Sequence, residues 1–194
     1  MHAAGLRNLL CVVVTSVWLG SSTLPSMAGE SAFESLSLRG GFVGTSFLGE
    51  EYSEGNWQQY DLVASIRLPL EWYTESGWGV GTRLLVSAGA LRGKQETNGI
   101  VTLVPVIAFG RRDGRLSLDV GGGAALLSDY KYGSQNFGGP VQYVWTWGVT
   151  SRILGPLGLG YHFQHYSDAG MYGSDSRGVD LHLFEISYWF GIRE

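Results

Sequence analysis

A histidine and a serine two residues apart, His165 and Ser167, lie in a stretch that alternates like a β-strand. Residues i and i+2 of a strand share a face, with backbone positions about 6.6 Å apart. At that spacing an imidazole can reach a hydroxyl and take its proton. A carboxylate holding the ring from its other side, such as Asp180, would complete the arrangement of a serine hydrolase. The tripeptide alone is common, so its meaning depends on the elements that carry it.

The first 28 residues read as an export leader. Arg7 gives it a positive start, and Leu9 to Leu19 form an apolar run too short for a membrane helix. Ser26-Met27-Ala28 is a small-x-small cleavage site. The single cysteine, Cys11, falls within this segment behind Leu10, which does not suit a lipoprotein anchor. The remaining domain, residues 29–194, would carry no disulfide and no thiolate metal site. The formal net charge is −4 and becomes more negative once Arg7 leaves, which argues against a nucleic-acid partner. No metal-ligand cluster and no phosphate-cradling glycine loop stands out, so no cofactor is expected. Thirty glycines, 13% aromatics and only two lysines, Lys94 and Lys131, suggest a β-rich chain of the outer-membrane kind.

The alternation supports that class. From Tyr60 to Trp72 one parity is apolar with aromatic ends, while the other carries Asp61, Ser65, Arg67 and Glu71. An apolar face bounded by Tyr and Trp fits a lipid-facing wall between two interfaces. The same pattern recurs over Trp78 to Leu91, Leu116 to Leu126 and Val141 to Val149, with small residues on the inner parity. Ile100 to Phe109 is apolar throughout, and Pro105 within it requires a bulge or an unpaired position. With Leu36 to Phe47, Leu157 to Ser167 and Val179 to Phe190, the expectation is an all-β fold, an eight-stranded antiparallel transmembrane β-barrel. Residues 48–58, 92–98, 128–138 and 168–178 would form outer loops. Shorter turns near 74–77, 111–114 and 151–155 would face the periplasm.

Parity then places the chemistry. On the seventh strand Leu157, Leu159, Tyr161, Phe163, His165 and Ser167 share the lipid face, so that face ends in two polar groups. Polar groups on such a wall carry a cost and point to function. On the eighth strand Asp180 shares the outward parity with His182, Phe184 and Ile186, and a neighbouring strand lies within contact range. Glu185 and His162 have the inward parity and belong to the lumen.

This C-terminal stretch resembles the lipid A 3-O-deacylase family of outer-membrane enzymes known as PagL. The residues that carry the resemblance are His165-Tyr166-Ser167-Asp168-Ala169-Gly170 and then Gly178-Val179-Asp180. The resemblance implies a serine esterase that hydrolyses the ester-linked 3-hydroxyacyl chain at the 3 position of lipid A. Ser167 would be the nucleophile, His165 the general base and Asp180 the acidic member, where the family usually has glutamate. Asp168 stands where the family has asparagine, near the oxyanion that the resemblance implies. Stabilisation there would then fall to backbone N–H groups of Ala169 or Gly170. The partners implied are lipid A in lipopolysaccharide and the outer membrane itself, with oligomeric state left open. The rival readings are a non-catalytic small barrel acting in adhesion or envelope stability, and a different lipid esterase on the same scaffold.

Overall fold

The computed structural model describes residues 32–44, 56–173 and 178–190. The expected leader, residues 1–28, lies outside them. The described residues fall in one compact unit, Ser31–Glu194.

The strands are β1 (Phe33–Val43), β2 (Gln58–Tyr73), β3 (Trp78–Gly93), β4 (Glu96–Arg111), β5 (Ser117–Leu127), β6 (Lys131–Tyr132), β7 (Gln135–Asn136), β8 (Val141–Leu154), β9 (Leu157–Ser167) and β10 (Val179–Trp189). Eight of them close into a barrel in the order β1-β10-β9-β8-β5-β4-β3-β2, while β6 and β7 pair only with each other. Closure is made by β1 against β10, from Ser35 opposite Trp189 to Val43 opposite Leu181. A closed antiparallel sheet leaves no open edge, the condition under which strands can cross a bilayer. The ladder between β4 and β5 keeps one register on both sides of Pro105, with Leu103 facing Ala124 and Val106 facing Gly121. Pro105 therefore needs no bulge.

Two-residue periodicity sorts the side chains. Leu38, Leu62, Leu70, Trp72, Ile107 and Ile186 are exposed on the outer wall. Inside, buried charges are paired. Arg83 bridges Glu34 at 2.7 Å and Asp119 at 3.1 Å. Glu185 meets Arg39 at 2.5 Å and His162 at 3.0 Å, as its inward parity requires. Beyond these charges lies an apolar plug, where Trp57 packs edge-on against Tyr132 at 4.9 Å and Phe137 at 5.5 Å. Tyr132 comes from β6 and Phe137 follows β7, so this hairpin folds in over the barrel's mouth.

Two connections differ from expectation. Residues 92–98 are not an open loop. β3 and β4 run on to a two-residue turn, Lys94-Gln95, pairing as far as Gly93 with Glu96. Polar side chains hide a strand from hydropathy, but the backbone ladder is indifferent to them. Residues 128–138 likewise contain the β6–β7 hairpin. The β2–β3, β4–β5 and β8–β9 turns and both barrel termini occupy one end, called here the turn end, and the β3–β4 tip and the β6–β7 hairpin the other, the loop end.

The lumenal pairing can be tested directly. Arg83→Ala leaves two buried carboxylates without their shared cation, which should cost about 3–5 kcal/mol. Urea unfolding in lipid vesicles, read by the heat-modifiable gel shift, should show a lower midpoint.

Candidate active site

Strand register assembles a small lattice on the outer wall at the loop end. His165 faces Trp145 on β8 and Asp180 on β10. One step toward the turn end, Phe163 sits between Trp147 and His182. One step toward the loop end, Ser167 faces Tyr143 and closes β9. The alternating pleat points His165, Ser167 and Asp180 to the same side of the sheet.

His165 and Asp180 are in contact. The Nδ1–H of the ring donates to Asp180 Oδ1 at 2.5 Å. Asp180 is only 1% exposed and His165 is also buried. The pair therefore sits in a recess of an otherwise open wall. A direct cross-strand position suits the short arm of aspartate, because facing Cβ atoms in an antiparallel pair lie about 4.5–5.5 Å apart. With Nδ1 committed to the carboxylate, Nε2 is the atom through which the ring would exchange a proton. Ser167 lies two residues further on the same strand and is half-buried. Such a constellation can activate a hydroxyl by general base catalysis.

The recess has aromatic walls. Phe163 is fully buried although its parity is outward. Its ring lies 6.0 Å from Trp145, 6.2 Å from Trp147 and 5.6 Å from His182. His182 Nδ1 is joined to the Tyr161 hydroxyl at 2.5 Å. The sequence signal for this wall is the facing pair of runs Tyr143-x-Trp145-x-Trp147 and Tyr161-x-Phe163. Which members become covered depends on the neighbouring strands. Behind the wall, Tyr166 points inward between His165 and Ser167, and its hydroxyl accepts from Gln59 Nε2 at 2.8 Å. The same amide donates to Asp61 at 2.5 Å. The lumen thus anchors the strand that carries the site.

Asp168 turns away into its own loop. Its carboxylate accepts the Gly170 N–H at 2.9 Å and the Tyr172 N–H at 3.0 Å. Its carbonyl accepts the Met171 N–H at 3.0 Å. Gly170 N–H is therefore engaged by Asp168. The Ala169 N–H is not engaged among the described residues, and Ala169 adopts a left-handed φ of 50°. Glu185 is held in the lumen by Arg39, Ser37 and His162, away from the recess.

Comparison with known proteins follows the same lines. The family model described as lipid A 3-O-deacylase (PagL) matches residues 58–189. The crystal structure of the outer membrane enzyme PagL superposes with a TM-score of 0.63 at 18% identity, covering 79% of this chain and 98% of that one. The Yersinia pestis outer membrane protein Ail matches with a TM-score of 0.46 at 14% identity, over 83% of this chain and 100% of that one. No curated protein matches the chain.

Gly178 gives a test of how tightly the recess is built. A Cβ there would lie 2.4 Å from the Tyr166 carbonyl oxygen and 3.3 Å from His165 Cε1. Gly178→Ala should therefore cost about 1–3 kcal/mol of stability. It should also shift the His165 imidazole resonances in an NMR spectrum of the folded barrel. Unmoved resonances would contradict the close packing.

Proposed function

Because the chain belongs to the lipid A 3-O-deacylase (PagL) family, we propose that it is a serine esterase whose triad, Ser167, His165 and Asp180, works in the outer leaflet of the outer membrane. At the level of the family it is an ester hydrolase of lipid A and an outer-membrane barrel. The proposal concerns the finer chemistry. The observation that carries it is the His165–Asp180 hydrogen bond of 2.5 Å in a recess of the lipid-facing wall, next to a hydroxyl on the same face.

In this reading Ser167 Oγ attacks the ester carbonyl of the 3-hydroxyacyl chain. His165 Nε2 takes the hydroxyl proton, and the Asp180 carboxylate stabilises the imidazolium that forms. The tetrahedral intermediate collapses by breaking the bond to the sugar oxygen at the 3 position, which receives the proton from His165. The acyl group remains on Ser167 as an ester. Water from the headgroup layer, deprotonated by His165, then attacks the acyl-serine; the acyl–Oγ bond breaks, His165 returns the proton to Ser167 Oγ, and the 3-hydroxy fatty acid leaves. The developing oxyanion needs donors aimed at it. The Ala169 N–H is the candidate, since Gly170 N–H serves Asp168. An outward site of this kind meets an ester only if the ester is itself in the membrane, which suits lipid A and no soluble substrate. Export by a cleaved leader, residues 1–28, is part of the same proposal.

The test is the lipid A of cells expressing each form, compared by mass spectrometry. Ser167→Ala should reduce loss of the 3-hydroxyacyl chain at least roughly 10³-fold while leaving a heat-modifiable barrel. Asp180→Asn should lower the rate about 10²–10⁴-fold by removing the charge that steadies the imidazolium. Identical lipid A from wild type and Ser167→Ala would end the serine esterase reading.

A further inference from the structure

At the loop end, on the wall of β2 and β3, a cleft of about 360 Å³ is lined by Asn56, Gln58, Arg92, Lys94 and Gln95. Among the described residues the lining holds two cations, three amides and no carboxylate, in a chain of net charge −4. Ion pairs with carboxylates among the described residues engage Arg39, Arg67, Arg83, Arg111, Arg112 and Arg115. Arg92 and Lys94 stand outside them. The nearby acid Glu96 accepts the Gly133 N–H at 3.2 Å and does not line the cleft.

The cleft lies at a telling depth. Gln58 and Arg92 face each other across the β2–β3 ladder. They share the outward parity with Tyr60, which is 56% exposed. A tyrosine ending an apolar face marks the boundary between hydrocarbon and headgroups. Gln58 is one pleat beyond it, about 6.8 Å along the strand. That puts it level with the exposed Phe42 of β1, its partner across the ladder, at the loop-end rim of the apolar wall.

The turn that presents these residues is also strained. Lys94 and Gln95 have φ values of 49° and 71°. Asn-Gly makes a two-residue hairpin turn of this hand readily, whereas residues with longer side chains resist the left-handed region. Strain of this kind is retained where the side chains are needed.

We infer that this cleft binds a phosphate of a lipid A-type glycolipid standing beside the barrel, separate from the esterase site. Arg92 and Lys94 supply the opposing charge, and the amides of Asn56, Gln58 and Gln95 donate hydrogen bonds. β1 and β10 stand between this cleft and β9, so the lipid held here is a neighbour of the one at Ser167. The inference rests on the loop end facing the outer leaflet, not on catalysis.

Isothermal titration of the full chain carrying Ser167→Ala, in neutral detergent micelles, tests it without turnover. The probes are bisphosphorylated lipid A, lipid A stripped of its phosphates, and inorganic phosphate. Saturable binding of the phosphorylated lipid is expected. The double variant R92Q/K94Q should weaken it roughly thirty-fold, about five-fold for each cation removed at an anionic surface. The stripped lipid should bind both proteins equally weakly. Undiminished binding of phosphorylated lipid by R92Q/K94Q overturns the inference. So does inorganic phosphate binding as tightly as the lipid, because the ligand would then be a free anion. A second variant, K94N/Q95G, relaxes the turn, and should raise Tm while weakening phosphorylated-lipid binding. Unchanged binding in that variant also counts against the site. Failure of the esterase reading would leave the comparison standing, since every protein compared carries the same Ser167→Ala site and differs only at the cleft.

Discussion

In a bilayer every backbone N–H and C=O must find its partner within the protein. For this chain that requirement is met by the pairing of β1 with β10, which converts a sheet with two edges into a barrel with none. Once the ladder closes, register is fixed at every strand, and with it the side to which each residue points. A slip of one residue would send every lumenal ion to lipid. The buried pairs of Arg83 with Glu34 and Asp119, and of Glu185 with Arg39 and His162, therefore do more than neutralise charge. They make the wrong register costly, because each would become an unpaired ion in hydrocarbon.

The same constraint joins inside to outside. Successive residues of β9 alternate faces, so an anchor in the lumen holds the groups on the wall. Tyr166 is that anchor. Its hydroxyl is fixed by Gln59, and the plug of Trp57, Tyr132 and Phe137 also belongs to the buried apolar core around it. On either side of Tyr166 stand His165 and Ser167. The strand end that bears the candidate nucleophile thus continues from a packed core rather than from a free loop. Sites built on strands hold their geometry better than sites on loops. The lipid side adds a second wall, with Phe163 covered by Trp145, Trp147 and His182.

The barrel was legible because alternation over ten or more residues survives noise. Leu157 to Ser167 has the same bounds in sequence and in structure. The inward placement of Glu185 and the outward placement of Asp180 also follow from parity alone. The β3–β4 tip was not legible, since Arg92 to Asn98 is polar on both faces. The β6–β7 hairpin offers only two paired residues per strand, too few for a period. Its role in plugging the mouth depends on Trp57, remote in sequence from Tyr132. The burial of Phe163 depends on residues of two adjacent strands. The turn chemistry of Asp168-Ala169-Gly170 was present in the sequence, but proximity to a serine hides it behind a catalytic reading.

The two aspartates by which this chain departs from the resembling pattern are held in place by different physics. At 180 the aspartate reaches the imidazole because His165 is its direct cross-strand partner, so the ladder supplies the approach that a longer side chain would supply by length. At 168 the difficulty is charge. A carboxylate about 4 Å from a forming oxyanion opposes it by about 4 kcal/mol at an effective dielectric of 20. Here both oxygens of Asp168 accept backbone N–H groups, which draws the charge into the turn. Asparagine could offer only one oxygen to those donors and would have an amide left to donate. The aspartate thus trades a side-chain donor for a better-fastened turn. On the proposed chemistry, the work of holding the oxyanion then moves to the backbone of Ala169, whose left-handed conformation sets the direction of the peptide beside Ser167.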